Sequence, residues 1–302
     1  MSPRPRLLER WRRQLGHQLF RRVAGPKGYQ ARDRIHGTEG PRWFEPGAAI
    51  RRVHGDASSF VGGLSALLLQ SLHPSAMAGV AGHSGFRGDP WGRLARTSTY
   101  LAYTTFGTIE HAEEMIARVS AVHDRVRGKT PDGVPYRASD PHLLLWVHVA
   151  EAESFLRAYE RYGAQPLSPE DADEYVRQTG VVASKLGATD VPQTVAQLRE
   201  SLSAFRPELK AGPDALDTAK FLLKEPPLPR GARLAYAPLA AGAVMLLPEW
   251  AREELGLNRW RYRTTGRLGG AVAVAGVRWG LGNAESRAHL KEPSTTPPGS
   301  AE

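Results

Sequence analysis

Apolar residues recur at intervals of three and four along much of the chain, and one segment departs from this pattern at a single position. In residues 109–126 the apolar side chains stand at Ile109, Ala112, Ile116, Val119 and Val126. Such steps place all of them on one stripe of an amphipathic helix. The same stripe carries His123, where a further aliphatic residue would fit. The pattern therefore predicts a helix with one imidazole on its buried face.

Helical signals extend over most of the sequence. Capping residues predict helices over 89–105, 139–162, 168–187 and, with a cap near Asp190, 191–205, and proline follows both Asp89 and Asp140 at the first helical position. Periodicity predicts others, over 1–24, 61–72, 75–82, 109–128, 214–223 and, as two or three helices, 232–282. No run of β-branched residues alternates with period two. The sequence therefore predicts an all-α protein with a single globular domain.

Composition divides the chain into three parts. Residues 1–46 combine a basic amphipathic helix with a linker rich in Gly and Pro, and residues 47–285 hold the predicted helical domain. Residues 286–302 are rich in Pro, Ser and Thr, which favours a disordered tail.

Positive charge is concentrated at the N-terminus. The net charge is +9, and residues 1–27 contain seven arginines and one lysine against one glutamate. The nearly balanced remainder argues against a nucleic-acid-binding surface. The basic helix over 1–24 also has an apolar side, formed by Leu8, Trp11, Leu15 and Leu19. We expect this side to dock on the domain, and peripheral contact with an anionic membrane is the alternative.

The chain contains no cysteine, which excludes disulfides, iron–sulfur clusters, thiolate-ligated haem and covalently attached c-type haem. It also fits a cytoplasmic protein. Residues 57–86 contain no charged side chain, but glycines, Gln70 and Pro74 interrupt this stretch. We therefore expect it to be buried in the protein rather than to span a membrane.

Three side chains near the start of the 89–105 helix share one face. Arg93, Arg96 and Thr97 stand at positions i, i+3 and i+4. Two guanidinium groups beside a hydroxyl can bind a carboxylate or polarise oxygen, whereas the simpler interpretation is a solvated basic face. A short connection to the helix of His123 makes the two helices antiparallel neighbours, so that one pocket could hold both sets.

Two histidines are candidates for a buried polar site. His123 on its apolar stripe would be satisfied either by a hydrogen bond in the core or by a metal such as iron. His148 stands one turn before Glu151 on the apolar face of the 139–162 helix. That pair could satisfy itself by hydrogen bonding or could support a cofactor. The Glu-x-x-His repeats of a di-iron bundle are absent, which disfavours a di-iron centre.

Seven separated motifs occur in an order that resembles a known family. They are His73-Pro74, His83-Ser84, the run from Asp89 to Thr97, His123 to Gly128, Tyr136 to Pro141, Trp146-Val147-His148, and Tyr159 to Gly163. The chain is similar, over about residues 47–255, to the family of the latex-clearing protein (a bacterial rubber oxygenase) and the mycophenolic-acid-pathway oxygenase.

The resemblance implies an all-helical fold with a globin-like core that binds haem b. It implies that His123 is the proximal iron ligand and that Arg93, Arg96 and Thr97 belong to the distal pocket, while His148 stays a candidate for supporting the cofactor. Arg96 stands where the rubber enzyme has lysine. Arginine cannot lose its proton and ligate iron, so rubber cleavage does not carry over directly.

The sequence thus predicts a haem-dependent oxidoreductase of the oxygenase type, which uses O₂ or a peroxide on a small apolar substrate, with olefins as a candidate class. Its rival is a helical protein that binds haem or an apolar ligand without turnover. A haem-free helical scaffold is the third interpretation. Consumption of O₂ with a candidate lipid separates the first two, and an absorption spectrum identifies the third.

Overall fold

The computed structural model describes residues 4–83, 88–258 and 260–282, and most of this part of the chain is helical. The first seven helices are α1 (Arg4–Ala24), α2 (Gly28–Gly37), α3 (Ala49–Gly55), α4 (Ser59–Gln70), α5 (Pro74–His83), α6 (Pro90–Phe106) and α7 (Ile109–His123). The next seven are α8 (Pro141–Tyr162), α9 (Pro169–Leu186), α10 (Val195–Ala204), α11 (Pro213–Lys224), α12 (Arg230–Leu246), α13 (Glu249–Glu254) and α14 (Trp260–Leu281). A 3₁₀ turn follows α10 at Arg206–Glu208. The predicted all-α class is confirmed, whereas a globin-like core stays a prediction. The tail over 286–302 lies outside the described residues.

Three capped helices begin where the sequence predicts, whereas α10 begins at Val195 with Thr194 as its cap and not near Asp190. The Asp89 carboxylate accepts a hydrogen bond from the Gly92 amide at 2.9 Å at the start of α6. Asp140 accepts one from the His142 amide at 2.9 Å, and the Ser168 hydroxyl accepts one from the amide of Asp171 at 3.1 Å. Each satisfies an amide that the first helical turn leaves without a partner.

A short antiparallel hairpin follows α7, contrary to the expectation that this helix continues to Gly128. It consists of β1 (Arg127–Lys129) and β2 (Pro135–Arg137), with Gly128 opposite Tyr136. Helix α7 ends at His123, because the Val126 carbonyl accepts a hydrogen bond from Ala138 instead of continuing the helix. The turn uses Gly133 at a φ of 82°, a conformation that glycine adopts without strain.

The main core surrounds α8. Trp146 and Leu156 on this helix are fully buried, and the helix packs against α4, α9 and α10. The Trp146 indole N–H donates to the Gln70 carbonyl at 3.2 Å, so its polar atom is satisfied inside the core. The uncharged stretch over 57–86 supplies α4 and α5, and α4 packs on α8. Within the described residues, every helix is too short or too polar to cross a bilayer.

Helix α1 packs against α6 and α14, and part of the apolar side predicted to dock takes part in this contact. Leu15 and Leu19 lie against Gly280, whereas Trp11 is 70% exposed and the side chain of Leu8 lies outside the described set. The contact also uses Gly16, whose missing side chain lets the α1 backbone approach Gly280. The segment predicted as a linker also contains a helix, α2, whose Tyr29 packs against Phe20 of α1.

Candidate functional site

Helices α6 and α7 are joined by only Gly107 and Thr108, and they pack against each other. Thr108 caps α7 by accepting a hydrogen bond from the His111 amide at 3.3 Å. Near this turn the rings of Tyr103 and His111 are 5.8 Å apart and perpendicular. The short connection makes the pair antiparallel. It therefore places the first residues of α6 and the last residues of α7 at the same end of the pair.

His123 is the last residue of α7, and its ring is half-buried. Its Nδ1 atom is buried and has no hydrogen-bond partner in the described part of the chain. Burial lowers the pKa of His123, although the carboxylate of Asp124 opposes this shift. The imidazole is therefore neutral at neutral pH and has a nitrogen that is not engaged by the protein.

His148 on α8 has the same two properties. Its Nε2 atom is buried without a partner among the described residues, and burial lowers its pKa to about 4. No hydrogen bond between described side chains joins it to Glu151, so the two do not form a self-satisfied pair. A buried imidazole nitrogen without a partner is costly, which makes His148 a second candidate for contact with a bound group.

Glu151 is a buried carboxyl near two tyrosines. Burial raises its pKa to about 7. Burial also raises the pKa of Tyr100 on α6, and the charge of Glu151 adds to that shift. The pKa of Tyr175 on α9 is raised by burial and by the same carboxylate. Glu151 therefore carries an exchangeable proton near neutral pH, whereas both phenols keep theirs.

His54 connects α3, α6 and α9. Its Nδ1 lies 2.9 Å from the Thr105 hydroxyl, and its Nε2 lies 3.3 Å from the Tyr175 hydroxyl. The ring also packs on Phe155 at 5.1 Å between centroids. Burial lowers the pKa of His54 to about 4, so the neutral ring must donate through one nitrogen and accept through the other.

Four of these side chains combine partial exposure with strong desolvation: His54, Tyr100, His148 and Glu151. The charge of Glu151 acts on Tyr100 and on the tyrosine that contacts His54, and His148 stands one turn before Glu151 on α8. We call these four side chains the polar cluster. The sequence analysis missed His54 and Tyr100. Tyr100 could have been found, because it stands seven residues after Arg93 on the same helical face.

The predicted distal residues occupy different environments. Arg93 is half-buried, and its pKa is lowered by burial and then by the charge of Arg96, although the guanidinium stays protonated. Arg96 points to the surface, where it pairs with Asp89 at 3.2 Å, the two side chains being 64% and 61% exposed. Thr97 is exposed, on the face of α6 that also carries Arg93 and Tyr100. The structure thus brings Arg93 and Thr97 to the Tyr100 side of the helix and directs Arg96 towards the N-cap.

One of the seven motifs cannot be placed, because the side chains of His83 and Ser84 lie outside the described residues. Within the described residues no cluster of three or more His, Cys, Asp or Glu side chains could hold a metal ion. A haem iron with one axial histidine does not require such a cluster.

A protein-family model described as "ER-bound oxygenase mpaB/B'/Rubber oxygenase, catalytic domain" matches residues 51–279. The match runs from α3 into α14 and so includes His54, Arg93, Tyr100, His123 and His148. Searches of curated proteins and of solved structures give no match. Because the match covers most of the chain, this protein belongs to the mpaB and rubber oxygenase catalytic-domain family, which is a family of oxygenases.

Proposed function

We propose that this protein is a haem b-dependent oxygenase that uses O₂ or a peroxide on a small apolar substrate, with an olefin as the substrate class closest to the family description. One observation carries the haem assignment. His123 and His148 are both neutral, and each has a buried ring nitrogen without a partner in the described structure. An axial ligand needs this state of imidazole.

The described residues fit a noncovalent haem. His123, whose motif carries the resemblance, would be the axial ligand, and His148 would contact the group or compete for that role. Half-buried Arg93 offers a permanent positive charge for a propionate. When bound, haem would supply the one-electron and oxygen chemistry that amino-acid side chains lack.

The polar cluster would accept and donate protons. The Glu151 carboxyl has a pKa of about 7 and can accept or release a proton at neutral pH. The Tyr100 hydroxyl keeps its proton, because burial and the charge of Glu151 raise its pKa. It can therefore donate a hydrogen bond to an oxygen atom of the O₂ or peroxide co-substrate, and Thr97 offers a second hydroxyl on the same face of α6.

A protein that binds haem or an apolar ligand without turnover is the second candidate. The position of Arg96 favours it, because this side chain forms an ion pair with Asp89 at the surface instead of joining the polar cluster. If this alternative is correct, the protein binds haem but lacks part of the set of hydrogen-bond donors that oxygen activation requires.

The absorption spectrum tests the haem assignment. We expect the purified protein, as isolated or after addition of haemin, to show a Soret band with about one noncovalent haem per chain. His123→Ala should abolish or greatly reduce this band. His142→Ala is the matched control, because His142 is on the same helix as His148 but contacts Glu208 at the surface, at 2.9 Å.

The outcomes separate the candidates. Loss of the band in His148→Ala together with an unchanged His123→Ala spectrum would move the axial role to His148. Retention of full haem in both variants would contradict the proposed site. An oxygen electrode then distinguishes the functions, since an oxygenase consumes O₂ when reduced and supplied with an apolar olefin, and a carrier does not.

A further inference from the structure

Helix α14 has an apolar stripe that no described residue covers. Leu268 is 76% exposed, Val272 70% and Trp279 48%, and Ala275 between them is exposed as well. Steps of three and four place these residues on one side of the helix. The opposite side is closely packed, since Gly270 lies against the backbone of Gly242 on α12. The exposed stripe is therefore not a consequence of a loosely attached helix.

Helix α1 adds further exposed apolar side chains next to this stripe. The Leu15 side chain lies against Gly280, which directly follows Trp279. Leu15 is 39% exposed, and Trp11, one turn earlier, is 70% exposed. Because Leu15 joins the two helices at Gly280, we treat their exposed apolar side chains as one area, the α1–α14 surface, made up of Trp11, Leu15, Leu268, Val272 and Trp279. Large exposed patches of this kind mark an interaction site in a soluble protein.

The two helices also hold much of the positive charge of the chain. Helix α1 contains seven arginines and one glutamate, and α14 contains four arginines and no acidic residue. Arg10 and Arg13 are exposed on α1, close in sequence to Trp11, and the ion pair of Arg13 with Glu9 leaves both side chains more than 60% exposed. Arg278 is engaged by Asp56 and does not contribute. An apolar stripe bordered by arginines is the pattern of a helix that lies in the interface of an anionic membrane.

We propose that the α1–α14 surface binds the surface of an anionic lipid bilayer, with the two helices lying in the plane of the membrane. A nucleic acid would use the arginines but would leave the aromatic and aliphatic side chains without a partner. A second copy of this chain would cover the apolar stripe but would bring two arginine-rich helices together, which like-charge repulsion disfavours. Only an anionic bilayer uses both features.

Vesicle flotation tests this proposal on the full chain. We expect binding to vesicles of phosphatidylcholine with about a third phosphatidylglycerol, weak binding to phosphatidylcholine alone, and release at high salt, because surface charges are screened over about 3 Å at 1 M salt. Leu268→Ser combined with Val272→Ser should reduce partitioning about tenfold or more. Arg10→Gln combined with Arg13→Gln should reduce it several-fold, and only on anionic vesicles.

Leu216→Ser is the control, since Leu216 is a comparably exposed apolar residue, at 46%, on α11 and away from this surface. It should bind vesicles as the wild type does. All variants should keep the wild-type melting temperature, because they change exposed side chains. A wild-type chain that does not float with anionic vesicles overturns the proposal. So does a chain that dimerises through the surface, as shown by light scattering, or one that binds oligonucleotides equally well after Leu268 and Val272 are changed.

Discussion

Arg278 on α14 donates hydrogen bonds to both carboxylate oxygens of Asp56, at 2.9 and 3.0 Å, and a third to the Tyr162 carbonyl at 2.8 Å. Asp56 follows α3, and Tyr162 is the last residue of α8. One guanidinium therefore joins three helices that are far apart in sequence. The Asp56 side chain is only 8% exposed, so water cannot readily replace the arginine.

Arg278→Ala should destabilise the protein. It leaves the Asp56 carboxylate largely buried without its cation, which costs about 3 kcal/mol. We expect the melting temperature to fall by roughly 6–10 °C. Arg13→Ala is the control, because its ion pair with Glu9 is more than 60% exposed on both sides and should contribute almost nothing. Equal melting temperatures for the two variants would show that the Arg278 contacts do not stabilise the packing of α14.

Glu151→Gln should change how stability depends on pH. In the folded protein the carboxyl stays protonated up to about pH 7, whereas its ordinary pKa is 4.5. A raised carboxyl pKa contributes stability below the unfolded pKa, and this contribution is lost as the pH rises through the folded value. Glutamine does not ionise. The variant should therefore match the wild type near pH 4.5 and exceed it by up to about 3 kcal/mol at pH 8.

Thermal unfolding at several pH values between 4.5 and 8 measures this difference. Glu200→Gln on α10 is the control, since Glu200 is exposed and should give a curve parallel to that of the wild type. A difference between Glu151→Gln and wild type that does not grow with pH would mean that Glu151 is ionised in the folded protein.

Arg96→Lys should leave the absorption spectrum of the haem-loaded protein unchanged. Lysine can ligate iron and arginine cannot, but residue 96 pairs with Asp89 on the exposed side of α6. A shift to a low-spin spectrum in the lysine variant would show that this side chain reaches the iron when haem is bound. His123→Ala, recorded alongside, shows that the spectrum responds to a change at the proposed site.

Features set by neighbouring residues could be predicted from the sequence. Asp89, Asp140 and Ser168 mark the starts of α6, α8 and α9, because a capping side chain satisfies amides within its own first turn. The end of α7 could not be predicted in this way. It depends on the hydrogen bond between Val126 and Ala138, which forms only when the hairpin closes.

The candidate site also contains some features that the sequence predicts and others that it does not. Helical spacing correctly groups Arg93 and Thr97 on one face, but it cannot show that Asp89 holds Arg96 at the surface. His54 gave no local signal, since its two partners are 51 and 121 residues away in the sequence. Whether His123 and His148 contact a bound group depends on their buried nitrogens, which only the packed structure reveals.

The close approach of Gly16 to Gly280 also constrains how the chain is made. Helix α1 is the first of the described helices to leave the ribosome, and its partner α14 is the last. At roughly 5–20 residues per second, the two are separated by tens of seconds. During that interval the glycine-lined side of α1 lacks the α14 backbone, although α2 and α6 can pack against α1 earlier. Joining α1 to α14 is therefore a late event in biosynthesis, and until then a chaperone could engage the unpaired helix.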